Sequence, residues 1–501
     1  MLTYQSTRNK AVEKSETQAI LQGISKEGGL FVPKRIPQID FALEEMITWD
    51  YQELAYRIMR LFFEGIKVEN LKACIKTAYD EKFDTKVIAP LKVDATGNFL
   101  ELFHGPTLAF KDMALSILPH LMITSKKYEK EEKDIVILTA TSGDTGKAAL
   151  EGFANVEGTR IVVFFPEQGV SAIQKRQMIT QEGENTLVVG IKGNFDDAQT
   201  GVKKLFADED YAKKLAEKGY VFSSANSINI GRLIPQIVYY FSAYAQMIQK
   251  GELVQGEKMN VAVPTGNFGN LLAAYYAKCM GLPINRLICA SNENKVLYDF
   301  FREGIYNRNR DFYLTNSPSM DILISSNLER LLFHVSGEDT ECVAELMTAL
   351  KEKGVYTLNE TMRENLKMFY AGYAGDVKTG EAINAVYTAS GYLMDTHTAV
   401  AYAVYKDYQL ETKDTTKTVI VSTASPYKFT GSVMDALGEE TTGKTDFERL
   451  ELMETLLNER MPKGISGLEK RAIQHQHVCE VDEMQAMIDN FLKSSCKVTP
   501  K

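Results

Sequence analysis

The chain has 501 residues, enough for two to four domains at about 150 residues each. Hydrophobic residues make up 45% and charged residues 25%, ordinary globular values that exclude wholesale disorder. With 57 Lys+Arg against 66 Asp+Glu, the net charge of −9 argues against a nucleic-acid or anionic-membrane partner held by bulk electrostatics. An anionic small substrate is not excluded, because pocket charge is local. The opening stretch MLTYQSTRNKAVEKSETQ lacks an apolar signal-peptide core, and no run of about 18 apolar residues predicts a membrane span. Six cysteines are scattered without a CxxC pair, which predicts reduced thiols and a cytoplasmic location.

Residues 1–95 predict a mostly helical N-terminal domain, with amphipathic helices over Leu43–Gly65 and Leu71–Lys82. From about residue 96 one unit repeats: apolar strand, small or polar turn, amphipathic helix. The strands are Ile135–Leu138, Arg160–Pro166, Thr186–Lys192, Asn260–Val263, Arg286–Ala290 and Thr418–Val421. Short apolar strands alternating with helices indicate parallel sheets covered on both faces. The expected fold is α/β: two doubly wound, mainly parallel domains, a smaller one over 96–225 and a larger one over 226–440. Between Asp321 and Lys378 the pattern is helical, with Cys342–Lys353 and Leu358–Gly372 as helices. A C-terminal extension over 441–501 predicts a helix (Phe447–Met461), a strand (Ala472–Val481) and a helix (Glu483–Lys493). Ligands in such folds bind where strand carboxyl ends turn into helices, and the informative residues sit there.

Four turns carry chemistry. In FHGPTLAFKD, Lys111 stands at the start of a helix expected over Asp112–Met122. The helix dipole disfavours a cation there, so its ammonium pKa should fall, which suits an imine-forming or proton-shuttling amine; the plainer reading is an exposed lysine. TSGDTG follows a buried strand and predicts backbone N–H groups that form an anion site, or an ordinary capped turn. It is not a Walker A loop. PTGNFGN can cradle one phosphate at a helix N-terminus without being the dinucleotide pattern GxGxxG, with Asn267 and Asn270 adding side-chain donors or capping the helix; the plainer reading is a helix cap. STASPYKF ends the last strand and offers the Thr423 and Ser425 hydroxyls.

Taken together and in order, HGPTLAFKD, TSGDTG, SSANSINIGRL, PTGNFGN, TNSPSMD, DTHTAVAY and STASPYKF resemble threonine synthase, a pyridoxal-phosphate family of the tryptophan-synthase-β-like fold. The paired NSINIGRL and GNFGN elements favour its microbial-type branch. One departure is Ser425, where some members carry His. The resemblance implies pyridoxal 5'-phosphate as cofactor and O-phospho-L-homoserine as substrate, converted with water to L-threonine and phosphate. Lys111 then matches the Schiff-base lysine, which removes the α-proton and then a β-proton before phosphate leaves. Gly266, Asn267, Phe268, Gly269 and Asn270 match the loop for the cofactor phosphate. Thr423 matches the hydroxyl facing the pyridine nitrogen. Ser142, Gly143, Asp144 and Thr145 match the loop for the substrate carboxylate. Arg232 is the candidate for the substrate phosphate, since its planar fork donates two parallel hydrogen bonds. Asn226, Ser227 and His104 are candidates from position only.

The alternative enzyme is a serine/threonine dehydratase or phospholyase on the same fold, which needs no second phosphate site; a non-catalytic cofactor-binding relative is a further one. His475, His477 and Cys479 alternate along a predicted strand, but no fourth metal ligand is apparent and no metal is expected. His397 lies in DTHTAVAY without an assigned role. The sequence does not decide between monomer and homodimer.

Overall fold

The computed structural model describes residues 1–141, 143–168 and 170–494; Ser142 and Cys496 lie outside the described residues. Along the strand Asp134–Ala140, Ile135 and Ile137 turn to one face and Val136 and Leu138 to the other, and all four are buried. Val261 and Val263 likewise oppose Ala262, and Val419 and Val421 oppose Ile420. Sheets buried on both faces need apolar residues at every position, which is why these strands read as continuous apolar runs.

The strands form two main sheets. The larger has the order Phe369–Tyr373, Ile284–Ser291, Met259–Pro264, Thr418–Ser422, Asn98–Glu101, Leu91–Val93. Neighbours are parallel except for the last pair, an antiparallel hairpin. The smaller has the order His477–Cys479, Thr186–Ile191, Thr159–Pro166, Asp134–Ala140, Tyr220–Ser223, all parallel. Sheet membership therefore crosses the boundary expected at residue 96. The 91–101 hairpin belongs to the larger sheet, where Phe99 and Leu100 are buried on opposite faces. The chain leaves that sheet, builds four strands of the smaller one, returns, and then adds the smaller sheet's edge strand His477–Cys479.

One apolar core joins the inner faces of both sheets to the N-terminal region and to the helix Ile230–Gln249. That helix packs against Gly269–Cys279 and against Tyr51–Met59. A second core fills the far face of the larger sheet under the helix Thr396–Thr412, and a third covers the far face of the smaller sheet.

Several elements differ from the sequence reading. The N-terminal region carries the helices Tyr51–Met59 and Val68–Ala78, and adds an antiparallel sheet of Asn9–Lys14, Tyr4–Ser6 and Phe31–Pro33. The helix expected over Asp112–Met122 is two pieces, Asp112–Leu115 and Leu118–Tyr128, with Pro119 in the first turn of the second. Leu358–Gly372 is not a helix throughout: Glu360–Asn365 is helical, and Phe369–Tyr373 is an edge strand of the larger sheet. Only His477–Cys479 of the expected strand Ala472–Val481 pairs. No helix among the described residues is long and apolar enough to cross a membrane.

Candidate active site

The strand ends Ala140, Pro264 and Ser422 deliver their turns to one place, and Phe103–Phe110 follows the strand Asn98–Glu101 into it. Residues 108–111 run against 423–425: the Phe110 N–H donates to the Thr423 carbonyl at 2.8 Å, and the Ser425 N–H donates to Leu108 at 3.0 Å. This sets Lys111 beside the end of a strand far along the chain. The turn before it is locked by Asp112, whose carboxylate accepts from the Thr107 N–H at 2.8 Å and the Thr107 hydroxyl at 2.6 Å. Burial pushes the Asp112 carboxyl up to about 6. At Gly105 a Cβ would come within 2.5 Å of that carboxylate, so no larger residue fits there.

The Lys111 side chain is 12% exposed, with its amine 3.7 Å from Asp144 and over the Phe110 ring at 4.8 Å. Its pKa is lowered, first by burial and then by the neighbouring cations Lys428 and Arg232, against the pull of Asp144. The cause is thus desolvation more than the dipole of a single helical turn. Asp144 opens the helix Asp144–Phe153 and is buried. It accepts from Lys428 at 2.6 Å, from the Gln174 amide at 3.0 Å and from the Ser319 hydroxyl at 3.3 Å. Burial alone would raise its carboxyl; Lys428 and Lys111 hold it well below the usual carboxylate range. Lys428 is fully buried and donates also to the Thr107 carbonyl at 2.8 Å.

Ser319 ties this cluster to the glycine loop. Its hydroxyl reaches Asp144, and its carbonyl oxygen would lie 2.7 Å from a Cβ at Gly266. Its N–H donates to His397 Nε2 at 3.1 Å. His397 Nδ1 therefore carries the proton and donates to Asp395 at 2.7 Å. Asp321 fixes the same segment, accepting from Asn292 at 2.7 Å and Asn294 at 2.9 Å.

The loop after Met259–Pro264 offers backbone, not side chains. Phe268 takes the left-handed conformation at φ 66° and caps the helix Gly269–Cys279, while its ring packs against Phe301 and Phe369. The Asn270 amide donates to the Pro264 carbonyl and its oxygen accepts from the Leu271 N–H, both at 2.9 Å. Its side chain locks the loop and is not the free donor the sequence suggested. The exposed Asn267 side chain accepts from the Ser326 hydroxyl at 3.2 Å. At Gly269 an added Cβ would come into ordinary contact with the side-chain amides of Asn327 at 3.5 Å and Gln236 at 3.7 Å. First-turn N–H groups there have no partner within the helix.

In the other loop, the Thr141 hydroxyl accepts from the Gly143 N–H at 3.0 Å and the Gly146 N–H at 2.9 Å. Of the expected carboxylate loop, Gly143 is therefore occupied within the turn, Asp144 is committed to the lysines, and Thr145 is half-buried. Gly143, at φ 146°, would drive a Cβ to 2.5 Å from Gln174.

Arg232 lies in the first turn of Ile230–Gln249 and is 3% exposed. It donates once, to the Ala225 carbonyl at 3.0 Å, and its buried Nε has no partner among the described residues. Burial pushes its pKa down to about 10. Ser227 meets Ser326 at 3.4 Å and accepts through its carbonyl from Asn327, which also bonds the Asn267 carbonyl. Asn226 is exposed. His104 stands apart: its ring nitrogens bond Asp84 at 2.6 Å and Glu101 at 2.8 Å. Burial opposes its charge, but the two carboxylates lift its pKa to about 9. Both nitrogens are engaged, which removes the reason to assign it to substrate.

Lys428, Ser319, Gln174 and Asn327 escaped the sequence reading. A signal existed for Lys428: it stands in Pro-Tyr-Lys-Phe, an apolar run in which a lysine is out of place. Ser425 caps the turn Pro426–Lys428. His475 bonds the Gln181 carbonyl at 2.9 Å, His477 is exposed and Cys479 is buried.

These residues fit pyridoxal 5'-phosphate. A pKa-lowered amine out of water suits imine formation, backbone N–H groups at a helix N-terminus suit a phosphate, and buried Thr423, whose carbonyl accepts from Phe110, adds a hydroxyl next to the Lys111 segment. Fold and site define a pyridoxal-phosphate-dependent enzyme, and the pattern of that family matches residues 100–424. The pattern described as the threonine synthase N terminus matches residues 3–79, and that of the threonine synthase C-terminal region matches 398–488. Threonine synthase from Pseudomonas aeruginosa is 39% identical over 444 residues, covering 87% of this chain and 90% of that one. The Homo sapiens protein named threonine synthase-like 1 is 40% identical over 89% of this chain, which spans only 61% of that protein's length. The crystal structure of PLP-bound threonine synthase from Brucella melitensis superposes with a TM-score of 0.87 at 34% identity, covering 99% of this chain and 100% of that one. The chain belongs to the threonine synthase family.

Proposed function

We propose that this protein converts O-phospho-L-homoserine and water to L-threonine and phosphate. The observation that carries the reading is Arg232. A buried guanidinium with an unpartnered Nε, close enough to Lys111 to lower its pKa, is a site waiting for an anion. No carboxylate pairs with it among the described residues, and the loop at Gly266–Asn270 is assigned in this reading to the cofactor's phosphate. A second phosphate, on the substrate, is the chemistry it fits.

When bound, pyridoxal phosphate withdraws electrons from the substrate's α-carbon. The chain supplies the rest. Lys111 takes the α-proton and, once it has given that proton up, a β-proton; its lowered pKa favours the proton-accepting amine. Asp144 faces the Lys111 amine at 3.7 Å as its nearest negative charge. The Gly269 and Asn270 N–H groups are proposed to hold the cofactor phosphate, and Thr423 the ring. Thr423 is neutral, so it does not stabilise a protonated ring nitrogen as a carboxylate would. Arg232 steadies the phosphate as it leaves the γ-carbon. The setting proposed is the cytoplasm, supported by the five described cysteines, all free.

The test is product analysis with purified protein and phosphohomoserine. Phosphate and threonine in equal amounts are expected. Phosphate with a keto acid in place of threonine would move the reading to a phospholyase. Keto acid from serine or threonine at a higher kcat/KM would move it to a dehydratase.

A further inference from the structure

Two buried lysines share one carboxylate. Lys428 reaches Asp144 at 2.6 Å and the Thr107 carbonyl at 2.8 Å, with no solvent exposure. Lys111 approaches the other Asp144 oxygen at 3.7 Å, beyond hydrogen-bond range, and rests on the Phe110 ring. The charged groups facing Lys111 are Asp144 from the helix Asp144–Phe153, Lys428 from the turn Pro426–Lys428 and Arg232 from the helix Ile230–Gln249. Fully protonated, the cluster holds three cations against one anion in a desolvated space.

A buried carboxylate needs a cation at short range, and Lys428 is the one placed to provide it. Gln174 and Ser319 hold the carboxylate still, so it cannot swing toward Lys111. We propose that Lys428 is a positioning residue that occupies Asp144 and thereby leaves Lys111 as the amine of the cluster free to react. Lys428 touches neither substrate nor cofactor in this role; it acts through Asp144 and by like-charge repulsion. The inference rests on the reading of Lys111 as the reacting amine. It explains why a lysine and not an apolar residue fills the turn after the last strand.

The experiment reads the Lys111 amine directly. The full-length chain, stripped of cofactor, is labelled with trace acetic anhydride across a pH series, and the Lys111 peptide is quantified by mass spectrometry. Wild type should show a Lys111 midpoint below that of the exposed lysines. Lys428→Met should raise the midpoint by about one unit, with labelling at neutral pH slowed about tenfold. Lys428→Arg, which keeps the charge, should restore the low midpoint. An unchanged midpoint in Lys428→Met, or an arginine variant that behaves like the methionine one, overturns the proposal. Should circular dichroism show that Lys428→Met does not fold, Asp144→Asn decides: the Lys111 midpoint must then fall further, and a midpoint that stays put rejects the role. Because the titration needs neither substrate nor turnover, its failure is distinguishable from an error in the proposed reaction. Mapping the pyridoxyl group after borohydride reduction separately reports whether Lys111 is the cofactor lysine.

Discussion

Around Lys111 the site is built of side chains; around Gly266 it is built of backbone. The first region gathers the ionisable side chains of Lys111, Asp144, Lys428 and Arg232 from distant parts of the chain; the last three are buried and Lys111 is nearly so. The second uses seven consecutive residues whose side chains are spent on the loop itself, through Asn270 to Pro264 and Phe268 into an aromatic cluster. The difference follows from the tasks. A phosphate that never reacts is well held by fixed N–H groups at a helix start. A proton that must move needs titratable groups whose pKa the surroundings can set. Disturbing the first region should alter rates and pH profiles, and disturbing the second should alter cofactor affinity.

The largest effect is expected from Lys111→Ala. Turnover should fall by about 10²-fold or more, the range general acid–base catalysis supplies, while the far-ultraviolet spectrum stays native. Activity within a few-fold of wild type would place the reacting amine elsewhere.

Arg232→Leu should sharpen the comparison by separating substrate from cofactor. Losing the partner of a buried phosphate costs about 2–5 kcal/mol, to be seen in kcat/KM for phosphohomoserine. Cofactor titration by visible absorbance should match wild type. A lower melting temperature with near-normal kcat/KM would instead make Arg232 a structural residue.

Next come two changes in the backbone region. Gly266→Val must push a Cβ into the Ser319 carbonyl, so the 318–320 turn shifts; overpacking of this kind costs about 1–3 kcal/mol. Asn270→Ala removes two loop hydrogen bonds, about 1 kcal/mol each. Both should weaken cofactor binding, the glycine change more. Because Ser319 also bonds Asp144, Gly266→Val should disturb the Lys111 region as well, and unchanged kinetics at saturating cofactor would break that link.

The smallest effect is on stability alone. The His104 pKa is raised from 6.5 to about 9, so the folded chain holds that proton more tightly than the unfolded one. Its contribution is complete below pH 6.5 and is lost as pH rises through about 9. The melting-temperature advantage of wild type over His104→Gln should follow that window without a matching change in kcat. A kcat loss that tracks pH equally would return His104 to the site.

What the sequence made legible was local. Strands announced themselves as apolar runs, and the turns that follow them carried glycine, serine and asparagine in contiguous patterns, so Lys111, the Gly266–Asn270 loop and Thr423 stand out as candidates from the sequence alone. What it hid was pairing at distance. Nothing in Pro-Tyr-Lys-Phe says that Lys428 meets Asp144, because that contact exists only once two sheets are assembled. Asn270 was read as a donor for a ligand because the sequence does not show the Pro264 carbonyl beneath it. Phe369–Tyr373 was misread as helix because Leu358–Gly372 spaces its apolar residues three and four apart, while tertiary pairing with Ile284–Ser291 made it a strand. His397 was singled out without a role, since its partner Ser319 lies in a different segment.

The strand His477–Cys479 pairs along the outer edge of residues 189–191, the second half of the buried strand Thr186–Ile191. During synthesis that edge emerges from the ribosome long before its cover does. For the interval between them the nascent chain exposes unpaired backbone along an apolar strand, the kind of surface that recruits a second copy or a chaperone. Stalled chains ending before residue 477 should therefore bind chaperone or self-associate where chains ending after the helix Met484–Ser494 do not, and pulldown of ribosome-bound nascent chains would register the change. The order in which the message is read thus sets a hazard that the finished fold no longer shows.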